Sequence, residues 1–566
     1  MPGLLAGLMI LMLAGCAGLK SRERYSEFIM VDVFASESNA PGLQSGWFGK
    51  IVKDKFNMEL NVIAPNAVED GDSLFQTRVA SGSVGDLLIC NVGGGILKQL
   101  ADAGLILDIE EWLDDDSSVM KYRSAVERFS RLAGREGIYA VPTELSENSP
   151  TTPAVGLEPN YGPYLRWDIY EKIGCPPVED LEDLLSVLKQ MQEAYPVTEQ
   201  GEPVYALSLF GDWDRNMMTF ARNVACFYGY DEVGMALLSS DSGKIQNPAE
   251  KDSVYRRGID FLYQANQMGL IDPDSPTQNY ETVYRKTQNG QVLFAFWSWF
   301  GQQAYNTPGN TAEGKGFKMV PIQDMKISVN GCQPGGSSEM AVMIGSQAED
   351  PARLADFIDW LYSPEGIMAS QASGPSDACG PEGLTWEMKE SGPALTEFGR
   401  QALGGEMVSV PAEWGGGTWQ EGVCAFNVTF VQTVDTNPET GVPYMYTLWE
   451  SARNERTLLD ERWTAVTGAD NAMEYLETQD MLVAAPGDSY ASGKEDYQIT
   501  TIRSQCADCL TDYSWKMVFA GDEETYAALA QTMTQNLENL KFDLLFTYDS
   551  RQAEEKYRER QNMIHE

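Results

Sequence analysis

The sequence predicts an α/β fold with mostly parallel sheets, spread over two or more domains. Three observations lead there. Strand-like and helix-like segments alternate along the chain. The strand-like ones are almost wholly apolar, as parallel strands covered on both faces are. And 566 residues exceed what a single hydrophobic core can serve. Taken in order, Ile29–Ala35 reads as a strand, Gly46–Phe56 as a helix, Leu60–Ile63 as a second strand, Asp72–Ser81 as a helix, Asp86–Cys90 as a third strand and Ile96–Ala103 as a helix. The middle repeats this grammar with the helix Val178–Tyr195, the strand Val204–Phe210, the amphipathic stretch Val254–Met268 and the strand Gln291–Phe296. Then come the strand Met340–Ile344 and the helix Pro351–Tyr362, opened by a proline where a helix tolerates one. The C-terminal part reads as mainly helical, over Thr525–Leu545 and Ser550–Met563.

Composition narrows the function classes. Hydrophobic residues at 43% and aromatics at 10% describe a folded globular chain. A formal charge of -42, from 83 acidic and 41 basic residues, repels polyphosphates and anionic lipid, so no nucleic-acid partner is expected. The most acidic stretch, Asp108–Asp116, reads as a solvated helix face. A single histidine, His565, stands beside the C-terminus. Ser-His-Asp triads, Cys-His dyads and His-ligated metal sites all need an internal imidazole, so they are excluded. Two carboxylates can still hydrolyse a glycosidic bond, which keeps a secreted glycoside hydrolase open as an alternative.

Eight cysteines follow Cys16, and Cys506-Ala-Asp-Cys509 is the one CxxC pair. Without a thioredoxin-like context or a second pair for zinc, it reads as a local disulfide or two free thiols. Gly93-Gly94-Gly95 lacks the spacing of a phosphate-cradling loop and reads as a turn. Asp212-Trp-Asp214-Arg-Asn216 alternates oxygen ligands but has no glycine at the sixth position and no acid at the twelfth, so it is not a calcium loop. No metal and no cofactor are expected.

At the N-terminus an apolar run from Leu4 to Leu13 leads into Leu13-Ala14-Gly15-Cys16. It is too short to span a bilayer, and small residues at its end suit a cleavage site, which makes residues 1–16 a signal peptide. Met1 to Ala14 holds no Lys or Arg, the one departure from a secretory n-region. The tetrad resembles the lipobox of bacterial lipoproteins. That resemblance implies that Cys16 carries a diacylglyceryl group and tethers the protein to the outer face of the cell membrane.

Further stretches carry a wider resemblance: Lys55-Phe-Asn-Met-Glu-Leu-Asn-Val62, Arg78-Val-Ala-Ser-Gly-Ser-Val-Gly-Asp-Leu-Leu88, Gly104-Leu-Ile-Leu-Asp-Ile109, Glu136-Gly-Ile-Tyr-Ala-Val-Pro142, Tyr164-Leu-Arg-Trp-Asp168 with Glu171-Lys-Ile-Gly174, Asn289-Gly-Gln-Val-Leu-Phe-Ala295, and the segment Asp350 to Gly366. In their order and spacing, the chain resembles the family-1 extracellular solute-binding proteins of ABC importers, the group that includes maltose-binding protein, in the long lipoprotein form of Gram-positive bacteria. The resemblance implies a periplasmic-binding-protein-like (type II) fold of two lobes joined by a hinge, with ligand in an interlobe cleft. It implies lobe 1 from residues 25–145 plus 336–400, and lobe 2 from residues 146–335 plus 401–566 with a C-terminal helical extension. Crossovers are expected near Val141–Asn148 and Asn330–Ser338, where Gly331, Gly335 and Gly336 allow bends. A monomer that is not an enzyme, delivering its ligand to permease subunits, is the function so implied; a surface carbohydrate receptor without transport is the third alternative.

Open α/β sheets bind ligands past the carboxyl ends of their strands, which selects the candidate contacts. Glu37 follows the first strand, Asn91 the third, Asp212 and Trp213 the strand ending at Phe210, and Trp297 and Trp299 the strand ending at Phe296. Sugars present apolar C–H faces and polar rims, so tryptophans flanked by carboxylates and amides point to a carbohydrate ligand. Trp297 and Trp299 share side-chain parity on an extended segment, and core packing is their equal alternative. Glu144 and Arg166 add hydrogen-bonding groups; Arg166 suits a hydroxyl pair or a carboxylate, or else a structural pair with Asp168. Trp414 and Trp419 form either another wall of the cleft or a packed turn.

Overall fold

The computed structural model describes residues 24–67, 71–374, 377–453, 456–492 and 495–565, so Cys16 and the signal peptide lie outside the described residues. The fold is mixed α/β and divides into two compact units. Unit 1 takes residues up to 149, 332–454 and 488–494; unit 2 takes 150–331, 455–487 and 495–566.

Unit 1 is built on a six-stranded sheet containing β1 (Ile29–Ala35), β2 (Gly42–Leu43), β3 (Met58–Ile63), β4 (Leu87–Asn91), β5 (Val141–Pro142) and the returning strand Met340–Ile344, in the order β2-β3-β1-β4-(340–344)-β5. β1 runs parallel to β3 and β4, while Met340–Ile344 runs antiparallel to β4 and β5. The carboxyl ends of β1, β4 and β5 therefore share one edge. The helix Gly46–Phe56 buries Trp47, Phe48, Val52 and Phe56 and stops at Asn57, whose left-handed φ of 48° ends it. Asp350 caps Pro351–Leu361 through the Arg353 N–H at 3.2 Å.

The expected lobe boundary at residue 400 falls inside unit 1, because long-range contacts hold 401–454 there. Leu145 bridges Val431, and the Gln371 amide donates to the Val431 carbonyl at 2.9 Å and accepts its N–H at 3.0 Å. Trp419 stacks on Trp47 at 4.5 Å with 8° between the ring planes. Asp435 accepts from the Ser146 hydroxyl at 2.5 Å, the Glu147 N–H at 2.6 Å and the Asn148 amide at 2.7 Å, so it clamps the chain just before the crossover at 149. Asp108–Asp116 is not a helix face: it holds only the short 3-10 turn Glu110–Trp112, and Asp108 accepts the N–H groups of Glu110 and Ile138.

Unit 2 centres on β6 (Tyr161–Arg166), flanked antiparallel by β7 (Phe294–Trp297) and β8 (Phe317–Met319). Residues 204–210, read as a strand, lie parallel beside this sheet through single bridges, Tyr205 to Val292 and Leu207 to Ile271. Side chains replace the rest of the ladder: Ser275 Oγ accepts the Leu209 N–H at 3.0 Å and the Gln278 amide donates to its carbonyl at 2.9 Å. Helices Leu181–Ala194, Thr219–Cys226 and Val254–Gln267 cover the core with Leu184, Leu188, Phe220, Val224, Ile259 and Leu262.

Three helices close unit 2: Tyr497–Val518, Glu523–Asn539 and Phe542–His565. The stretch read as one helix over Thr525–Leu545 is broken at Lys541, where φ is 64°. Asp549 pins the last helix, accepting from Arg503 and from the Met235 N–H at 2.7 Å. Asp231, on the strand Tyr230–Val233, pairs with Arg560 at 2.9 Å and Lys556 at 3.3 Å. Burial pushes the Asp231 carboxyl up, but the two cations outweigh it and hold it at about 2, below its ordinary 3.8. A depressed folded value contributes stability that is complete above the unfolded value and is lost as pH falls through the folded one. Asp231→Asn is therefore expected to be less stable than the parent at pH 7, with the difference closing between about pH 4 and pH 2 in urea unfolding series; a gap independent of pH would refute the pairing.

Candidate ligand-binding site

β7 and the segment 204–210 run in the same direction, joined by the N–H of Phe294 donating to the Ala206 carbonyl at 2.9 Å. Their carboxyl ends consequently release Phe210 and Trp213 beside Trp297 and Trp299. Ring centroids lie 4.8 Å apart for Phe210 and Trp213, 5.6 Å for Trp213 and Trp297, 5.8 Å for Trp213 and Trp299, and 5.8 Å for Trp297 and Trp299. Trp297 is buried, Trp299 half-buried, and Trp213 is 37% exposed. The result is an indole presented to solvent from a base of packed rings, a flat apolar surface of the kind that C–H faces stack on.

The parity expected of Trp297 and Trp299 fails, because the strand ends at Trp297 and Ser298 starts the helix Ser298–Tyr305. The two rings meet through this strand-to-helix turn instead. Two residues of the platform escaped sequence reasoning. Tyr280 lies 4.8 Å from Trp213, and Tyr284 lies 5.7 Å from Tyr280. Their i,i+4 spacing on the helix Tyr280–Gln288 was the available signal. Asp212 accepts the Tyr280 N–H at 2.8 Å and so ties this helix to the Trp213 loop.

The loop before Tyr280 is stiffened by charge. Lys286 donates to Asp272 at 2.6 Å, Asp274 at 3.1 Å and Gln278 at 2.9 Å. Burial opposes charge on the lysine, yet its two carboxylate partners raise its pKa above the ordinary value. Asp272 is pushed up by burial and pulled below its ordinary value by Lys286 and Ser208.

In unit 1 the candidates lie past the shared strand edge. Glu37 is exposed after β1, and its carbonyl accepts from Asn427 at 3.0 Å. Asn91 ends β4; its amide donates to Glu339 at 3.0 Å and its oxygen accepts the Gly93 N–H at 2.8 Å. Glu144 follows β5 with a left-handed φ of 56°, a strained setting for a side chain of this length. Burial pushes its carboxyl above the usual carboxylate range against a hydrogen bond from Gln333.

Two expectations resolve away from a ligand. Arg166 is 1% exposed, binds Asp168 through two hydrogen bonds of 2.9 and 2.7 Å from Nε and Nη2, and packs 3.9 Å from the Tyr305 ring centre, so the structural pair with Asp168 is the alternative observed. Trp419 is buried against Trp47, making the packed-turn alternative the observed one, while Trp414 is half-buried in the 3-10 turn Ala412–Trp414. Cys506 and Cys509 are free thiols one turn apart on Tyr497–Val518, and burial pushes the Cys506 thiol up to about 11, which leaves it a poor nucleophile. Among the described residues, no group of three His, Cys, Asp or Glu side chains is placed to hold a metal ion, and no helix is long and apolar enough to cross a membrane.

The family described as bacterial extracellular solute-binding protein matches residues 51–368. No curated protein matches the chain in sequence. Solved structures do match in fold, and they are type II periplasmic-binding-protein-like. An HMO-binding, ABC-transporter-associated solute-binding protein from Bifidobacterium longum infantis has 12% identity and a TM-score of 0.58 over 93% of this chain and 98% of its own. The alginate-binding protein AlgQ2 has 15% identity and a TM-score of 0.57 over 94% and 98%. The S. pneumoniae substrate-binding protein FusA, in complex with kestose, has 15% identity and a TM-score of 0.56 over 93% and 99%.

Proposed function

Because the chain belongs to the bacterial extracellular solute-binding proteins, we propose that it captures an oligosaccharide and hands it, chemically unchanged, to the permease subunits of an ABC importer. The observation that carries this reading is the exposed Trp213, seated on Trp297, Trp299, Phe210 and Tyr280 at the strand ends of unit 2. Such a platform stacks on sugar C–H faces while polar groups read the hydroxyls. Asp212, Trp213, Trp297 and Trp299 of unit 2 and Glu37, Asn91 and Glu144 of unit 1 are the proposed contributors. Arg166 is not among them. Anchoring to the membrane through a lipid on Cys16, as a monomer, completes the proposal.

The likenesses in fold support it: among the proteins of similar fold, one is HMO-binding, one alginate-binding and one bound to kestose. Calorimetric titration with kestose, maltotriose and lacto-N-biose, followed by chromatography after long incubation, tests it. The expected result is saturable binding of at least one sugar at 1:1 with no product. Released saccharide would establish the glycoside hydrolase instead, and no heat with any sugar would remove the carbohydrate assignment.

A further inference from the structure

The loop that carries Trp213 is held by a helix that a two-lobe binding site has no obvious need of. Asp214, the next residue, accepts the Thr219 N–H at 2.7 Å through one carboxylate oxygen and the Trp515 indole N–H at 2.6 Å through the other. Thr219 returns its hydroxyl to the Trp213 carbonyl at 2.7 Å, and the Asp214 N–H closes a turn onto the Gly211 carbonyl at 3.0 Å. Trp515 stands on the helix Tyr497–Val518, and its ring stacks on Phe519.

The same helix reaches the far end of the loop. The Met218 N–H donates to the Tyr255 hydroxyl at 2.9 Å, which lies 2.8 Å from Ser514 Oγ. Ser514 in turn donates to the Leu510 carbonyl at 2.6 Å, so the proton order runs from Met218 through Tyr255 and Ser514 to Leu510. A buried chain of this kind is stronger than its separate bonds and fixes one loop geometry. Ser514 and Trp515, adjacent in sequence, thus pin residues 214 and 218 on either side of the bend.

We infer that Trp515 and Asp214 are positioning residues for the Trp213 platform, and that the C-terminal helical extension is a working part of the sugar site. The inference rests on the capture reading for its consequence in affinity, and on geometry alone for the placement of Trp213. Breaking the Asp214 to Trp515 bond frees the loop, and an indole that must be ordered on binding costs affinity.

Two variants break that bond from opposite ends. W515F keeps an aromatic ring, smaller than the indole, and removes the donor; D214N keeps the acceptor for Thr219 and turns the second oxygen into a donor. In protein labelled with 5-fluorotryptophan, the Trp213 fluorine signal is assigned by its loss in W213F. Both variants are expected to shift or broaden that signal without any ligand present. Titrated with whichever of kestose, maltotriose or lacto-N-biose the parent binds, both are expected to weaken affinity about tenfold, and less than about twofold in a W213A background. Any change in melting temperature, by contrast, carries over unchanged into that background. An unmoved Trp213 signal overturns the inference whatever the sugars do. So does equal loss of affinity in both backgrounds, which marks a merely structural role. If the parent binds no sugar, the capture reading fails while the fluorine signal still decides the placement of Trp213.

Discussion

Trp213→Ala is expected to weaken sugar binding at least about 30-fold, equivalent to about 2 kcal/mol, the loss typical of a tryptophan anchor at the centre of a contact. Trp213 is the exposed member of its cluster, so the substitution removes the surface and leaves Trp297, Phe210 and Tyr280 packed on one another. Folding stability should change little by comparison. Trp213→Phe retains a ring over the same base and is expected to recover part of the affinity. Calorimetric titration of the two variants checks the pair, and a Trp213→Ala protein that binds like the parent would show that ligand does not rest on this platform.

Trp47→Ala is expected to destabilise unit 1 by about 3–5 kcal/mol, the range for emptying a fully buried aromatic site. The side chain is completely buried, lies parallel to Trp419 and donates its indole N–H to the Trp419 carbonyl at 3.0 Å. Gly422 sits so close that a Cβ there would fall 2.2 Å from the indole ring, so the pocket fits this residue tightly on that side. Truncation opens a cavity and leaves the Trp419 carbonyl with only the Gly422 N–H, at 3.0 Å, of its two donors. Denaturant unfolding followed by calorimetry should show the unit 1 transition lowered and the unit 2 transition in place; a loss below about 1 kcal/mol would mean that the pocket collapses around the gap.

What was legible in the sequence follows from how local each determinant is. Gly46–Phe56 and Met340–Ile344 were bounded as the structure has them, since apolar spacing and the strand's own composition decide those ends. That Trp213, Trp297 and Trp299 meet was legible because residues 204–210 and β7 run in the same direction and end at one edge. Determinants that act across the chain were not. Nothing near Val431 announces that Gln371 will take its N–H and carbonyl, so 401–454 fell to the wrong unit. The break at Lys541 lacks the glycine that normally marks a left-handed helix end. Residues 204–210 carry the composition of a strand, but Ser275 and Gln278 capture its backbone groups first. The helix Tyr497–Val518 does open on a readable cap, Asp496, and was still passed over. Tyr280 is tied to the platform loop by Asp212, which accepts its N–H, a bond that spacing in sequence does not foretell.

The discontinuity of unit 1 bears on how the protein is made. Its final piece, residues 488–494, follows a long excursion of the chain through unit 2. The full set of contacts within unit 1 is therefore available only after that piece has been synthesised. The interval before that piece arrives is the moment at which unfinished surface of unit 1 is most open to proteases and aggregation.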